Sequence, residues 1–167
     1  YPKIGEKSKE LRISYQNAKL LLGEWIIKKN KYNNFVPKTL SKLKEDLRLK
    51  NLPKIIEAFD ISHLSGSDTV ASMVCFIDSK PKKNKYRKYN IKSVNGVDDF
   101  RSIYEVVFRR YNRLKLNNEV MPDLILIDGG KGQLKYALKA LKELSLGYIP
   151  VVGLAKRLEE IFIPGNS

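Results

Sequence analysis

Residues 122–130 read Pro122-Asp123-Leu124-Ile125-Leu126-Ile127-Asp128-Gly129-Gly130. The uninterrupted apolar run predicts a β-strand covered on both faces, because a half-exposed strand would alternate polar and apolar residues. The two glycines predict a turn into the following segment, whose apolar residues recur every three or four positions as in an amphipathic helix. The strand ends in an acid, Asp128, and a buried strand that leads into a helix is typical of α/β proteins.

The segments around this strand complete a mixed sheet. The predicted strands are residues 55–60, 69–77, 86–94, 124–128 and 148–154. Short turns join the first three, among them the loop Ser65-Gly66-Ser67-Asp68. A helix capped by Asp98 or Asp99 then leads to the fourth strand, which can therefore lie parallel to the first. We predict an α/β fold in which a three-stranded antiparallel meander plus parallel strands is flanked by helices.

The first third of the chain has a different pattern. Apolar residues at helical spacing predict an amphipathic helix over about residues 6–29 and a second helix over about residues 39–47. A turn-rich break over residues 30–37 separates them. We interpret residues 1–52 as a helical linker packed against a domain formed by residues 53–167.

Composition limits the function classes. The 167 residues carry a net charge of +14, which favours a polyanionic partner and above all nucleic acid. No apolar run approaches the roughly 18 residues of a membrane span, and the N-terminus lacks both a signal sequence and an initiator Met. We therefore expect no membrane association, a cytoplasmic protein, and a chain excised from something longer. One cysteine, Cys75, and one histidine, His63, exclude disulfide frameworks and Cys/His zinc sites.

Two acids stand at the ends of predicted strands. Asp60 follows Phe59 and Asp128 follows Ile127. If their strands are parallel neighbours about 4.8 Å apart, both carboxylates reach the same sheet edge. Two carboxylates about 5 Å apart repel by roughly 3 kcal/mol at an effective dielectric near 20, so the pair requires a cation or a shared proton. Mg²⁺ or Mn²⁺ is the expected bound ion, and such an ion can activate a water molecule to attack a phosphodiester.

Each acid also has a structural interpretation. Asp128 before two glycines suits a turn, and Asp60 after a strand suits a helix cap. Asp99 is a further candidate for the acidic site, although from the residues alone a helix N-cap is the favoured interpretation. His63 comes three residues after Asp60 and, on a continuing strand, would point to the other face; we favour a structural or phosphate-contact role for it over metal ligation.

Basic residues supply candidate DNA contacts. Residues 80–92 hold seven lysines and arginines and no acid, an arrangement that suits either a protected edge strand or a nucleic-acid surface that includes Arg87 and Lys88. Arg109 and Arg110 fall on or near one polar helix face and have the same two interpretations. Lys131 lies at a glycine-rich helix start where it can approach a phosphate. The spacing there does not match a nucleotide-binding P-loop, which makes a nucleotide hydrolase a weak alternative.

Several strings together resemble one known family. They are Phe59-Asp60-Ile61-Ser62-His63, Thr69-Val70-Ala71-Ser72, Tyr86-Arg87-Lys88-Tyr89, Val97-Asp98-Asp99-Phe100, and the run from Pro122 to Asp128 continued by Gly129-Gly130-Lys131-Gly132-Gln133-Leu134. This set closely resembles the C-terminal nuclease half of the UvrC family, the incision subunit of bacterial nucleotide excision repair. The resemblance covers about residues 54–165.

The resemblance implies an RNase H-like fold that makes the metal-dependent cut 5′ of a lesion in double-stranded DNA, with UvrB as partner and UvrA upstream. The family's two metal-binding aspartates fall on Asp60 and Asp128, and an additional family acid matches Asp98-Asp99, preferably Asp99. The family's catalytic histidine lies beyond the second aspartate, in a region that this chain does not reach. His63 belongs to a different motif and should not be substituted for it.

That departure leaves alternatives open. We expect the domain to be C-terminally incomplete and to cleave weakly or not at all alone. A non-catalytic nucleic-acid or partner-binding module with the same fold is one alternative, and metal uptake that depends on Asp128 separates it from a nuclease. Another RNase H-like nuclease, such as a relative of endonuclease V, is a second alternative that would nick DNA without UvrB.

Overall fold

The chain is seen in a computed structural model that describes residues 5–33, 37–63, 69–92, 98–155 and 160–164, without the side chains of residues 28–33. The helices are α1 (Glu6–Asn33), α2 (Lys38–Asp46), α3 (Asp99–Leu116) and α4 (Lys131–Glu143). The strands are β1 (Ile55–His63), β2 (Thr69–Ile77), β3 (Lys80–Pro81), β4 (Arg87–Asn90), β5 (Leu124–Asp128), β6 (Val151–Ala155) and β7 (Glu160–Phe162).

The chain divides into two compact units, residues 1–36 and 37–167. The first contains α1, which is a single helix through Asn33. The predicted break over residues 30–37 is therefore wrong in its first part, since Asn30 to Asn33 are helical. The second unit contains α2 and the sheet. The domain boundary at residue 52 and the packing of a linker on the nuclease stay predictions.

The sheet is mixed, as predicted. Within the described residues its order is β3-β2-β1-β5-β6-β7, with β4 also paired to β2. β1 and β2 are antiparallel, β4 is antiparallel to β2, and β1, β5 and β6 are parallel. The fold class inferred from the alternation of hairpins and helical crossovers is confirmed. The predicted loop over residues 65–68 lies outside the described residues.

Three predicted strands, β1, β4 and β6, have different bounds in the structure. The strand predicted over residues 86–94 is β4, which covers only Arg87–Asn90; residues 93 and 94 lie outside the described residues. β1 continues past Asp60 to His63, because β2 pairs with its whole length. β6 begins at Val151 rather than at residue 148, because Gly147 and Tyr148 form a turn before it. β7 was not predicted as a strand; it pairs antiparallel with β6 through Gly153 and Phe162.

The sheet buries apolar residues on both faces, which explains the unbroken apolar run of β5. Ile125 and Ile127 contribute to a core formed with α3 and α4. Leu124 belongs to a second core, in which it packs with Ile56 and with Leu40 of α2. Alternate residues of a strand point to opposite faces, so one apolar strand feeds both cores. No helix among the described residues is both long and apolar enough to span a membrane.

Candidate active site

The strands β1 and β5 bring Asp60 and Asp128 to one edge of the sheet. Their parallel pairing ends at Phe59 and Ile127, and the two aspartates are the next residue on each strand. Asp60 has the same strand parity as Ile56, and Asp128 the same parity as Leu124, so both side chains leave the sheet on the face that carries α2. Neighbouring strands lie about 4.8 Å apart, which places the two carboxylates within reach of a common ion.

Both aspartates are partly exposed at this edge. Asp60 accepts a long hydrogen bond of 3.5 Å from the Ser62 hydroxyl. Carboxylate oxygens are the ligands that Mg²⁺ and Mn²⁺ prefer, so the donor set fits a hard divalent cation. Among the described residues no group of three or more His, Cys, Asp or Glu side chains forms a metal-ligand cluster.

Asp99 lies elsewhere. It is the first residue of α3, and its Oδ1 lies 2.7 Å from Nε2 of His63. His63 has the same strand parity as Glu57 and Phe59, whose side chains contact Tyr111 of α3, so it points to the face opposite Asp60. The N-cap of α3 is Asp98, which accepts a 3.0 Å hydrogen bond from the backbone N–H of Arg101. The structure thus brings Asp99 to His63 and not to the face of the paired acids.

A line of hydrogen bonds extends from this contact in both directions. The Nδ1 atom of His63 lies 3.2 Å from the Thr69 hydroxyl on β2. On the other side, Nε2 of Gln133 donates to Oδ2 of Asp99 at 3.5 Å, and Oε1 of Gln133 accepts the backbone N–H of Gly130 at 3.0 Å. We call Thr69, His63, Asp99, Gln133 and Gly130 the polar relay. It joins β2, β1, α3 and α4.

Gln133 was not singled out from the sequence. The signal that identifies it is its position three residues after the N-cap Gly130, where a glutamine side chain reaches back to the N-cap N–H.

The predicted DNA contacts have different surroundings. Lys131 is exposed at the start of α4, with its Nζ 5.6 Å from the centre of the Phe162 ring. Lys88 is exposed on the edge strand β4, whose residues alternate between half-buried and exposed. Arg87 donates hydrogen bonds to the carbonyls of Asn84 and Tyr86.

Arg109 remains partly accessible. Its guanidinium donates to Glu105 at 2.7 Å and to the Asn90 carbonyl at 2.9 Å, and it lies 5.7 Å from the centre of the Tyr89 ring. It therefore lies beside β4, within the basic surface that also includes Arg87 and Lys88.

The prediction for Arg110 is wrong. Its side chain is 8% exposed and donates two hydrogen bonds to Glu57, at 2.5 and 3.2 Å, while the Tyr111 hydroxyl donates to the same carboxylate at 3.0 Å. Burial disfavours the charged guanidinium, but Glu57 outweighs it and raises the pKa of Arg110. Burial also raises the pKa of Tyr111 well above its ordinary value. Arg110 is therefore an internal ion-pair partner and not a DNA contact.

Glycines allow the elements around Asp128 to approach closely. A Cβ on Gly153 of β6 would lie 2.8 Å from the carbonyl oxygen of Gly129. A Cβ on Gly129 would lie 1.8 Å from Oε1 of Gln133. The turn after Asp128 is thus confined between β6 and the Gln133 side chain.

Most of the chain is similar in sequence to known proteins. Residues 44–167 match the model of the family described as the UvrC RNase H endonuclease domain. The UvrABC system protein C of Christiangramia forsetii is 48% identical over 169 residues, which cover 99% of this chain and 28% of that protein. The corresponding protein of Prosthecochloris aestuarii is 49% identical over 168 residues, and that of Methanococcus maripaludis 48% over 164. They match 99% and 98% of this chain, and the chain spans 27% and 29% of their lengths.

Among solved structures, human ENDOV is 16% identical with a TM-score of 0.49, over 78% of this chain and 60% of that one. Ciona intestinalis endonuclease V in complex with a 24mer DNA is 18% identical with a TM-score of 0.48, over 76% and 60%.

Proposed function

The chain belongs to the UvrC RNase H endonuclease domain family, and from that premise we propose that it makes the divalent-metal-dependent cut 5′ of a lesion in double-stranded DNA. UvrB is the proposed partner and UvrA acts upstream. The chain spans less than a third of its curated relatives, so the reaction is proposed for the protein in which this domain works. The cytoplasm is the proposed compartment.

The paired acids support this function best. Asp60 and Asp128 follow the last paired residues of two parallel strands and leave the sheet on one face. They would hold Mg²⁺ or Mn²⁺, which supplies Lewis-acid stabilisation of the charge that develops on the phosphodiester when bound. The two carboxylates provide the negative potential that draws the cation to this edge. Pairing with β2 and β6 holds the backbone of Asp60 and Asp128 in place.

The basic surface is proposed to orient the DNA. Lys131 follows Asp128 by three residues and is exposed, so its ammonium can contact a phosphate next to the scissile one. Lys88, Arg87 and Arg109 belong to or flank the edge strand β4 and are proposed to bind the DNA backbone further away. These contacts position the duplex without reading its sequence, which suits an enzyme whose target is set by damage.

Substitution of each acid tests the proposal. The variants Asp60→Asn and Asp128→Asn, made in the longer protein, are assayed with UvrA and UvrB. The substrate is a lesion-bearing duplex already cut 3′ of the lesion, a step that the family resemblance assigns to another domain. We expect 5′ incision to be lost in both variants and kept in Asp46→Asn, which removes an exposed carboxylate from α2. Normal 5′ incision by Asp128→Asn overturns the proposal.

Two further measurements separate the alternatives. A binding module would make no incision. Any Mn²⁺ that it bound would not be lost in Asp128→Asn. A nuclease of the endonuclease V kind would nick the duplex when UvrB is omitted, whereas the proposed function requires UvrB.

A further inference from the structure

The polar relay connects the strand of one proposed metal ligand with the turn that follows the other. His63 stands three residues after Asp60 on β1, and Gly130 stands two residues after Asp128. Between them, the side chains of Asp99 and Gln133 close the gap with contacts of 2.7, 3.5 and 3.0 Å. His63, Asp99, Gln133 and Gly130, which have no role in the proposed function, are therefore joined by a continuous series of hydrogen bonds.

The hydrogen-bond directions along this line are determined by the carboxylate. Asp99 can only accept, so Nε2 of His63 carries a proton and the Nε2 amide of Gln133 faces it as donor. Gln133 must then present Oε1 to Gly130, whose N–H donates to it. With a neutral ring, Nδ1 of His63 accepts from the Thr69 hydroxyl. Asp99 thus sets which way the Gln133 amide faces.

Neither Asp99 nor His63 points toward the paired acids. Both oxygens of Asp99 have partners, one in His63 and one in Gln133. His63 leaves β1 on the face opposite Asp60. The effect that these residues can have on the metal site passes through the backbone of the turn that follows Asp128.

We propose that His63, Asp99 and Gln133 are positioning residues that hold the Gly129–Gly130 turn, and with it the Asp128 carboxylate, in the orientation that binds the metal. The proposal rests on the proposed function for the metal, and it replaces the direct catalytic role predicted for Asp99. Partners outside the ligand set commonly change metal affinity 10- to 100-fold when removed, which sets the expected scale.

Two readouts on this chain test the proposal. Hydrogen exchange of the Gly130 amide, followed by NMR, reports how firmly the Gly129–Gly130 turn is held by its hydrogen bond to Gln133. Mn²⁺ affinity, measured from the EPR signal of the free ion, reports the metal site. The variants are Gln133→Met, Asp99→Asn and His63→Leu, and Gln16→Met on α1 is the control outside the relay. Thermal unfolding checks that each variant folds.

We expect Gly130 to exchange at least tenfold faster and Mn²⁺ to bind about tenfold more weakly in Gln133→Met, with smaller changes of the same sign in the other two variants. His63→Gln keeps an N–H donor for Asp99 and should recover most of the affinity lost in His63→Leu. Gln16→Met should change neither readout.

Unchanged Gly130 exchange in Gln133→Met overturns the proposal. So does complete loss of Mn²⁺ binding in Asp99→Asn, equal to that of Asp128→Asn, because this would make Asp99 a direct ligand. If the unsubstituted chain binds no Mn²⁺, the proposed function for the metal fails by itself. In that case faster Gly130 exchange still supports the hold of the relay on the turn, and unchanged exchange refutes it.

Discussion

Asp60 and Asp128 are the first residues beyond the point where the parallel pairing of β1 and β5 stops. Their side chains leave neighbouring strands, about 4.8 Å apart, on the same face of the sheet. Two carboxylates on such neighbouring positions repel each other when no cation lies between them. The relation has consequences for stability as well as for catalysis.

In EDTA, Asp60→Asn should stabilise the protein. It removes one charge of a partly exposed pair and keeps an oxygen for the Ser62 hydroxyl. For carboxylates about 5 Å apart, this relieves about 1 kcal/mol at a water-like dielectric, which corresponds to a rise of about 3 °C in Tm. Thermal unfolding followed by circular dichroism measures the change. Mn²⁺ should raise the Tm of the unsubstituted protein but not that of the variant. A lower Tm for Asp60→Asn in EDTA would contradict this prediction, and Asp46→Asn is the matched control.

Arg110→Met should lower the free energy of unfolding by about 3–5 kcal/mol, because it leaves Glu57 buried without its cation. Arg113→Met makes the same chemical change at an exposed position three residues further along α3 and should cost less than about 0.5 kcal/mol. Urea unfolding of both variants gives the comparison. An equal loss of unfolding free energy in the two variants would show that the Glu57–Arg110 pair does not stabilise the fold.

Gly153→Ala should destabilise the protein by about 1–3 kcal/mol, since its Cβ would press on the carbonyl oxygen of Gly129 at 2.8 Å. The turn after Asp128 would have to move, so Mn²⁺ affinity should fall as well. The control is Gly147→Ala, whose Cβ meets nothing within 4 Å. Urea unfolding and Mn²⁺ titration test the pair of variants. Identical behaviour of the two would mean that β6 does not confine the turn.

Stability should fall at alkaline pH. Burial, followed by the charge of Glu57 and the hydrogen bond to it, raises the pKa of Tyr111 well above 10 in the folded state. The folded and unfolded states are both protonated below pH 10, so this contribution is intact there. Above it only the unfolded state releases the proton, and the free energy of unfolding falls by about 1.4 kcal/mol per pH unit.

Urea unfolding between pH 8 and 11.5 measures this slope. Tyr111→Phe should reduce the steepness above pH 10, and Tyr148→Phe, at an exposed site, should not. An equal slope in Tyr111→Phe would exclude Tyr111 as the cause.

Lys88→Ala should weaken binding to duplex DNA uniformly across sequences and reduce the slope of log affinity against log salt by about 1, as expected for one lost phosphate contact. Lys115→Ala is the control, because Lys115 donates to the Leu144 carbonyl near the far end of α3. Fluorescence anisotropy at several salt concentrations measures both. An unaltered salt slope in Lys88→Ala would remove Lys88 from the DNA surface.

The sequence predicted the features that depend on hydrophobic periodicity and on the order of strands and helices. The bounds of β5 followed from its apolar run, and the closeness of Asp60 and Asp128 followed from a helical crossover that makes β1 and β5 parallel. Once two strands are parallel neighbours, their carboxyl ends must share an edge. The resemblance to the family agreed with that geometry and pointed to the same two residues.

Contacts between distant side chains escaped prediction. Glu57 looks like a solvent-facing residue in a short strand, yet its partner Arg110 lies 53 positions away and neutralises it inside the core. Arg109 and Arg110 were assigned to one polar face, although consecutive helical residues are about 100° apart; Arg110 turns toward the sheet, where it pairs with Glu57. The contact between His63 and Asp99 spans 36 positions and depends on where α3 begins, which local patterns fix only approximately.

Cys75 is fully enclosed in β2, where burial raises the pKa of its thiol, and the sequence contains no other cysteine. A maleimide added to the native domain should therefore find no reactive sulfur. A single cysteine introduced at an exposed position such as Lys88 would then carry a fluorophore or spin label alone. Distances from such a probe to a labelled duplex would reveal how DNA lies across the sheet, with no need to remove the natural thiol first.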